Sequence, residues 1–109
     1  MSDYVFIESR DPFESRDIQF VVETAMVLRQ RGHAVTVFLI QNGALAARRN
    51  ASGSALPRLA QAGVQVLADD FSLLERGVMK MELGTHIQES NIDKLVDLIV
   101  QSGVKTVWH

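Results

Sequence analysis

Val64–Gly77, VQVLADDFSLLERG, is the stretch whose reading decides the fold. A short β-rich run, Val64–Ala68, meets two adjacent carboxylates, Asp69 and Asp70. A short helix predicted over Phe71–Arg76 then closes at Gly77. Strand, acidic turn and helix in immediate succession are the core of a βα unit. In open parallel sheets, ligands gather where strand C-termini meet helix N-termini, so this junction is the first place to look for function.

The same alternation repeats outward from it. Upstream, Tyr4–Glu8 is apolar on both faces, as an interior parallel strand requires. Asp11, Pro12 and Glu14 have the spacing of an N-cap, a first helical position and a capping box. A long helix is predicted from there, carrying Ile18, Val21, Val22, Ala25, Met26 and Leu28 at helical spacing and ending at Arg29-Gln30-Arg31-Gly32. Ala34–Ile40 is the most apolar strand and belongs at the centre of the sheet. Gln41-Asn42-Gly43 reads as a turn, since Asn and Gly tolerate positive φ. Ala44–Asn50 reads as a short helix and Ala51–Ser54 (ASGS) as the most flexible segment expected in the chain. Ser54 precedes a helix with Pro57 in its first turn, Leu56, Leu59 and Ala62 along it, and Gly63 at its end. Downstream, Val78–His86 is a connector with an extended piece near Thr85–Ile87. Ser90 and Asp93 have capping-box spacing for a helix that places Ile92, Leu95, Val96, Ile99 and Val100 on one stripe and ends at Gly103. Val104–Trp108 is the last strand. The order predicts a single α/β domain over 1–109: a mostly parallel sheet with helices on both faces, joined by right-handed crossovers.

Composition narrows the function. The 109 residues are 47% hydrophobic and 22% charged, ordinary for a globular chain that buries roughly two-thirds of its extended surface. Thirteen acidic and eleven basic residues leave a net charge of −2, no footprint for nucleic acid or an anionic membrane. No apolar run approaches the ~18 residues of a membrane span, and MSDYVFIES lacks the basic start of a signal peptide, so a cytoplasmic location is expected. With no cysteine, disulfides and thiolate metal sites are excluded for this chain.

The Asp69-Asp70 pair has two readings: a carboxylate pair for a hard cation or general base, or a helix cap at Asp70 with Asp69 solvated in the loop. A phospho-receiver would need an acidic pair after strand one and a lysine ending the last strand. Glu8-Ser9 stands at the first place, and Lys105 lies at the start of the last strand. Gln41-Asn42-Gly43-Ala44 is no phosphate loop, and no serine sits in a nucleophile elbow. His33, His86 and His109 share no zinc-ligand spacing; His33 reads as an exposed turn residue and His86 as part of a connector folding back towards the sheet edge. Asn50-Ala51-Ser52 is a glycosylation sequon without meaning in the cytoplasm. Arg48-Arg49 is a small basic patch, either a contact for an anion or partner or simply a solvated face. Arg10, Asp11, Glu14, Arg16 and Asp17 read as an ion-pair network ordering the loop after strand one. Neither a catalytic constellation nor a metal or cofactor is expected.

Order and spacing together resemble the DsrE/DsrF-like family, small α/β proteins of bacterial sulfur relay and sulfur oxidation. The residues that carry the resemblance are YVFIES from Tyr4, QFVVETAMVLRQRGHAVTVFLI from Gln19, the Asn42-Gly43 turn and the L-x-x-L-x-x-x-G-V pattern from Leu56. They continue with V-x-V-L-A-D-D-F-S-L-L-E-R-G-V from Val64 and DKLVDLIVQSGVKTVW from Asp93. Active members carry a persulfide on a cysteine at the strand-to-short-helix junction. Counting back from Arg76-Gly77, that place falls on Asp69, and a second cysteine of some members falls on Ser72. A carboxylate or hydroxyl cannot replace a thiolate attacking sulfur. The resemblance therefore implies a member without the transfer cysteine, a non-catalytic subunit that assembles as a trimer or hexamer or with other DsrE/DsrF-like subunits. Such assembly would cover Val78, Met79, Met81 and Leu83, which otherwise must close the domain's own core. The alternative, from the residues alone, is a small-ligand or metal-ion binding protein using the pocket of Asp69 and Asp70.

Overall fold

The computed structural model describes residues 2–49, 51 and 55–109. Strands β1 (Asp3–Glu8), β2 (Ala34–Leu39), β3 (Gln65–Asp69), β4 (Gln88–Ser90) and β5 (Val104–Trp108) form one sheet in the order β4-β3-β2-β1-β5, with every pairing parallel. Helices α1 (Asp17–Gln30), α2 (Ala55–Gln61), α3 (Asp70–Glu75) and α4 (Ile92–Ile99) connect them, with 3-10 turns at Gln41–Ala47 and Lys80–Glu82. The uncharged AVTVFL of β2 takes the central place, and Val37, Phe38 and Leu39 are fully buried.

The topology explains how the helices divide. From β1 to β4 the chain steps one way across the sheet, so right-handed crossovers put α1, α2 and α3 on one face. There Phe6, Val37 and Val66 meet Val21 of α1, Leu59 of α2 and Leu73 of α3. The return from β4 to β5 crosses the whole sheet on the other face, where Leu95 of α4 packs on Val5, Ile7, Phe38, Ile40 and Leu67. The reversal of direction lies between β1 and β5. Among the described residues, no helix is long and apolar enough to cross a membrane.

Several local expectations are corrected. Helix α1 begins at Asp17, not at Asp11–Pro12. Asp11 Oδ1 accepts the Phe13 N–H at 2.8 Å, and its carbonyl accepts the amides of Glu14 and Ser15, closing a separate turn. A short carboxylate offers the backbone this local alternative to a helix. Residues 41–47 form a 3-10 turn rather than an α-helix from Ala44, and Arg48 bridges antiparallel to Leu83. Positive φ falls on Gln41 (51°). The short strand is Gln88–Ser90 rather than Thr85–Ile87, because Ile87 is drawn into the core of the first face. Asn91, not Ser90, caps α4, its Oδ1 accepting the Lys94 N–H at 2.9 Å. The stripe on α4 also divides: Leu95 and Ile99 turn towards the sheet, while Ile92, Val96 and Val100 stand in solvent. The Ser54 helix start, residues 52–54 of the ASGS segment, and the Asn50 and Ser52 positions of the sequon lie outside the described residues.

Candidate functional site

At the β3–α3 junction the two aspartates take roles opposite to those expected. Asp69 is buried and caps α3, and Asp70 is the exposed member. Asp69 Oδ2 accepts both the Ser72 N–H (2.9 Å) and the Ser72 Oγ–H (2.7 Å). Ser72 Oγ in turn accepts the Gln41 N–H at 2.9 Å, and Arg76 Nε donates to Asn42 Oδ1 at 3.1 Å. The two positions matched to family cysteines thus form a chain of hydrogen bonds tying the end of β3 to the turn after β2. Asp69 Oδ1 is buried without a protein partner. Asp70 opens onto two cavities of about 610 and 300 Å³, both of which also reach Lys80 and Glu89.

Asp69→Ala is expected to destabilise the domain by about 1–2 kcal/mol, since it removes a cap and leaves the Ser72 amide unpaired. Asp69→Asn keeps an acceptor and should lose less; urea denaturation of the two variants checks the order.

Arg48 and Arg49 stand elsewhere, on a groove of about 590 Å³ with Phe13, Met81 and Glu82. The Arg48 guanidinium lies 5.5 Å from the centre of the Phe13 ring, and Arg49 Nη2 donates to the Met81 carbonyl at 3.2 Å. His33 is half-buried rather than exposed: Nδ1 lies 3.0 Å from the Ser2 amide, and the ring meets Tyr4 edge-on. His86 precedes the edge strand β4, and burial holds its imidazole below the ordinary value.

A second cluster, unforeseen in the sequence, occupies the reversal point at the C-terminal ends of β1 and β5, where such sheets form their binding crevices. Glu8 lies two residues beyond Phe6, on the same face of β1 towards α1, and is fully buried. Its Oε1 accepts the Arg10 N–H at 3.0 Å. Asp17, at the start of α1, reaches Glu8 and also meets His109, with Oδ1 and Nδ1 2.8 Å apart. The His109 carbonyl accepts the N–H and Oγ–H of Ser9, and its N–H donates to Ile7 O. Burial pushes the Glu8 carboxyl up to about 7, helped by the Asp17 carboxylate and opposed by Arg10. The expected ion-pair network over residues 10–17 is replaced by this convergence; Asp17 pairs with His109. The available signal was a carboxylate on the core-facing side of strand one.

No family model matches the chain, and no curated protein matches it. Solved structures do. The ychN protein from E. coli is similar over 100% of both chains, with a TM-score of 0.90 and 16% identity. MTH1491 of Methanobacterium thermoautotrophicum, a protein of unknown function, matches over 100% of both chains with a TM-score of 0.83 and 17% identity. BT1422 of Bacteroides thetaiotaomicron, also of unknown function, matches over 99% of this chain and 95% of its own, with a TM-score of 0.81 and 15% identity. At these identities the likeness shows the fold alone.

Proposed function

We propose that this chain is a DsrE-like subunit that acts by association. It assembles with copies of itself, as a trimer or hexamer, or with other DsrE/DsrF-like subunits in a cytoplasmic sulfur-handling complex, and carries no sulfur itself. The observation that carries this reading is the connector. Val78 and Leu83 close the domain's own core, but Met79 and Met81 are 59% and 74% exposed, and Leu74 beside Met79 is 76% exposed. Large apolar side chains left this exposed on a small domain call for a covering partner. The absence of cysteine and the engagement of Asp69 Oδ2 with Ser72 fit a subunit without its own nucleophile.

Light scattering at micromolar concentration is expected to give a mass several times that of the chain, and Met79→Ser/Met81→Ser is expected to lower it. A monomer would overturn the reading. Asp70, open to two cavities beside Lys80 and Glu89, supports the second reading, a small-ligand or metal-ion binding protein. Calorimetric titration with magnesium, calcium and adenine nucleotides tests it, and silence in all three removes it.

A further inference from the structure

Glu8 and Asp17 present an unusual pair of atoms. Glu8 Oε1 is engaged by the Arg10 amide and Asp17 Oδ1 by His109. The remaining oxygens, Glu8 Oε2 and Asp17 Oδ2, are both buried without a donor. Two ionised carboxylates in one enclosed site repel each other and forfeit their hydration. One proton between the two carboxyls supplies a donor and an acceptor where neither buried atom has a partner.

We propose that Glu8 and Asp17 hold one proton between them, and that this proton latches the loop after β1 and the residue after β5 onto the sheet, a latch that opens as the solution turns alkaline. The charged groups around it assign the proton. From α1 comes Asp17; from the segment after β5 comes His109, whose Nδ1 lies 2.8 Å from Asp17 Oδ1 and leaves Oδ2 as the acceptor without a partner. From the loop after β1 comes Arg10, whose amide and charge face Glu8. β2 (AVTVFL) and the turn QNGALAA carry no ionisable side chain, and Ile40 between them donates its N–H to the Glu8 carbonyl. The latch lies where β1 and β5 are neighbours in space yet joined by no direct connection, so losing the proton loosens two distant parts of the chain together.

The sign follows from linkage. The native state keeps the Glu8 proton between about 4.5, where the unfolded chain releases it, and about 7. Stability from this group is therefore complete below the lower value and falls as pH rises through the upper one. Thermal unfolding in chelator from about pH 5 to about pH 9, followed by the emission of Trp108 beside His109, is expected to show a midpoint falling by at least about 5 °C. Glu8→Gln keeps a donor to Asp17 and cannot ionise. It should remove most of that fall. At about pH 6 the infrared spectrum should contain a protonated-carboxyl band that Glu8→Gln lacks. Equal slopes in the two proteins would overturn the proposal. So would the absence of the band from the wild-type protein, a measurement that decides the matter even if the variant does not fold. Stabilisation of the wild type by magnesium or calcium, lost in Glu8→Gln, would also overturn it, by showing a cation where the proton is placed.

Discussion

Gly43→Ala is expected to cost about 4 kcal/mol or more, at the severe end for a single methyl group. Gly43 is buried in the turn after β2, and its N–H donates to the Ile40 carbonyl at 2.9 Å. A Cβ there would overlap the Glu8 carbonyl oxygen and stand 2.8 Å from the Glu8 carbon and 3.3 Å from Ser9 Cα. Every one of these neighbours is backbone, so no side-chain rotation relieves the clash. The Glu8 carbonyl also accepts the Ile40 N–H at 3.0 Å, so moving it breaks the hydrogen bond joining the ends of β1 and β2. Domains of this size are stable by about 5–15 kcal/mol in all, and the variant should be largely unfolded in mild urea. Gly77→Ala is the control: its φ is +67°, but its added Cβ meets nothing within 4 Å, and a cost of about 1 kcal/mol is expected. Circular dichroism against urea separates the two. Equal midpoints would show that the β1 backbone has room to yield.

Gly43 also marks where local reading stops. The turn after β2 was legible, but for the wrong reason: its glycine answers to a strand far away in sequence, and the left-handed residue is Gln41. What holds Gln41 there is its amide on Ser72 Oγ, a contact that exists only once β3 lies beside β2. By contrast, β1, β2 and β3 were legible because uninterrupted apolar runs need burial on both faces. The ends of α1 and α2 were legible because Gly32 and Gly63 adopt positive φ at the close of their helices, a local requirement.

The candidate sites divide in the same way. Asp69 and Ser72 are three residues apart, and their hydrogen bonds follow from cap geometry that the sequence carries, although which aspartate serves as the cap depended on the end of β3. Glu8, Asp17 and His109 come from three segments and converge because β5 returns to the side of β1, a choice of strand order that no local pattern announces.

Phe38→Ala is expected to cost about 3–5 kcal/mol and to loosen α4 before the rest of the domain. Phe38 is fully buried in the central strand, and its ring belongs to the cluster that receives Leu95. The opposite face is covered by three helices, so a cavity there could be shared among several neighbours. On this face, among the described residues, α4 is the one helix, and it holds the sheet through Leu95 with Leu98 and Ile99 alongside. Its remaining large apolar residues, Ile92, Val96 and Val100, point away from the sheet and return nothing to the domain's own core. Removing the ring beneath Leu95 therefore takes away much of what keeps α4 seated, while β1 to β3 keep their ladder and the contacts of the first face. Native-state hydrogen exchange should show the amides of α4 exchanging by local opening in Phe38→Ala, at a free energy well below that of the β2 amides. Uniform exchange through global unfolding, or a loss under about 1.5 kcal/mol, would mean that the cluster beneath α4 closes over the missing ring. Measured across a range of protein concentrations, the same exchange also reports on the outward stripe: protection of α4 that grows with concentration would place a second chain against Ile92, Val96 and Val100.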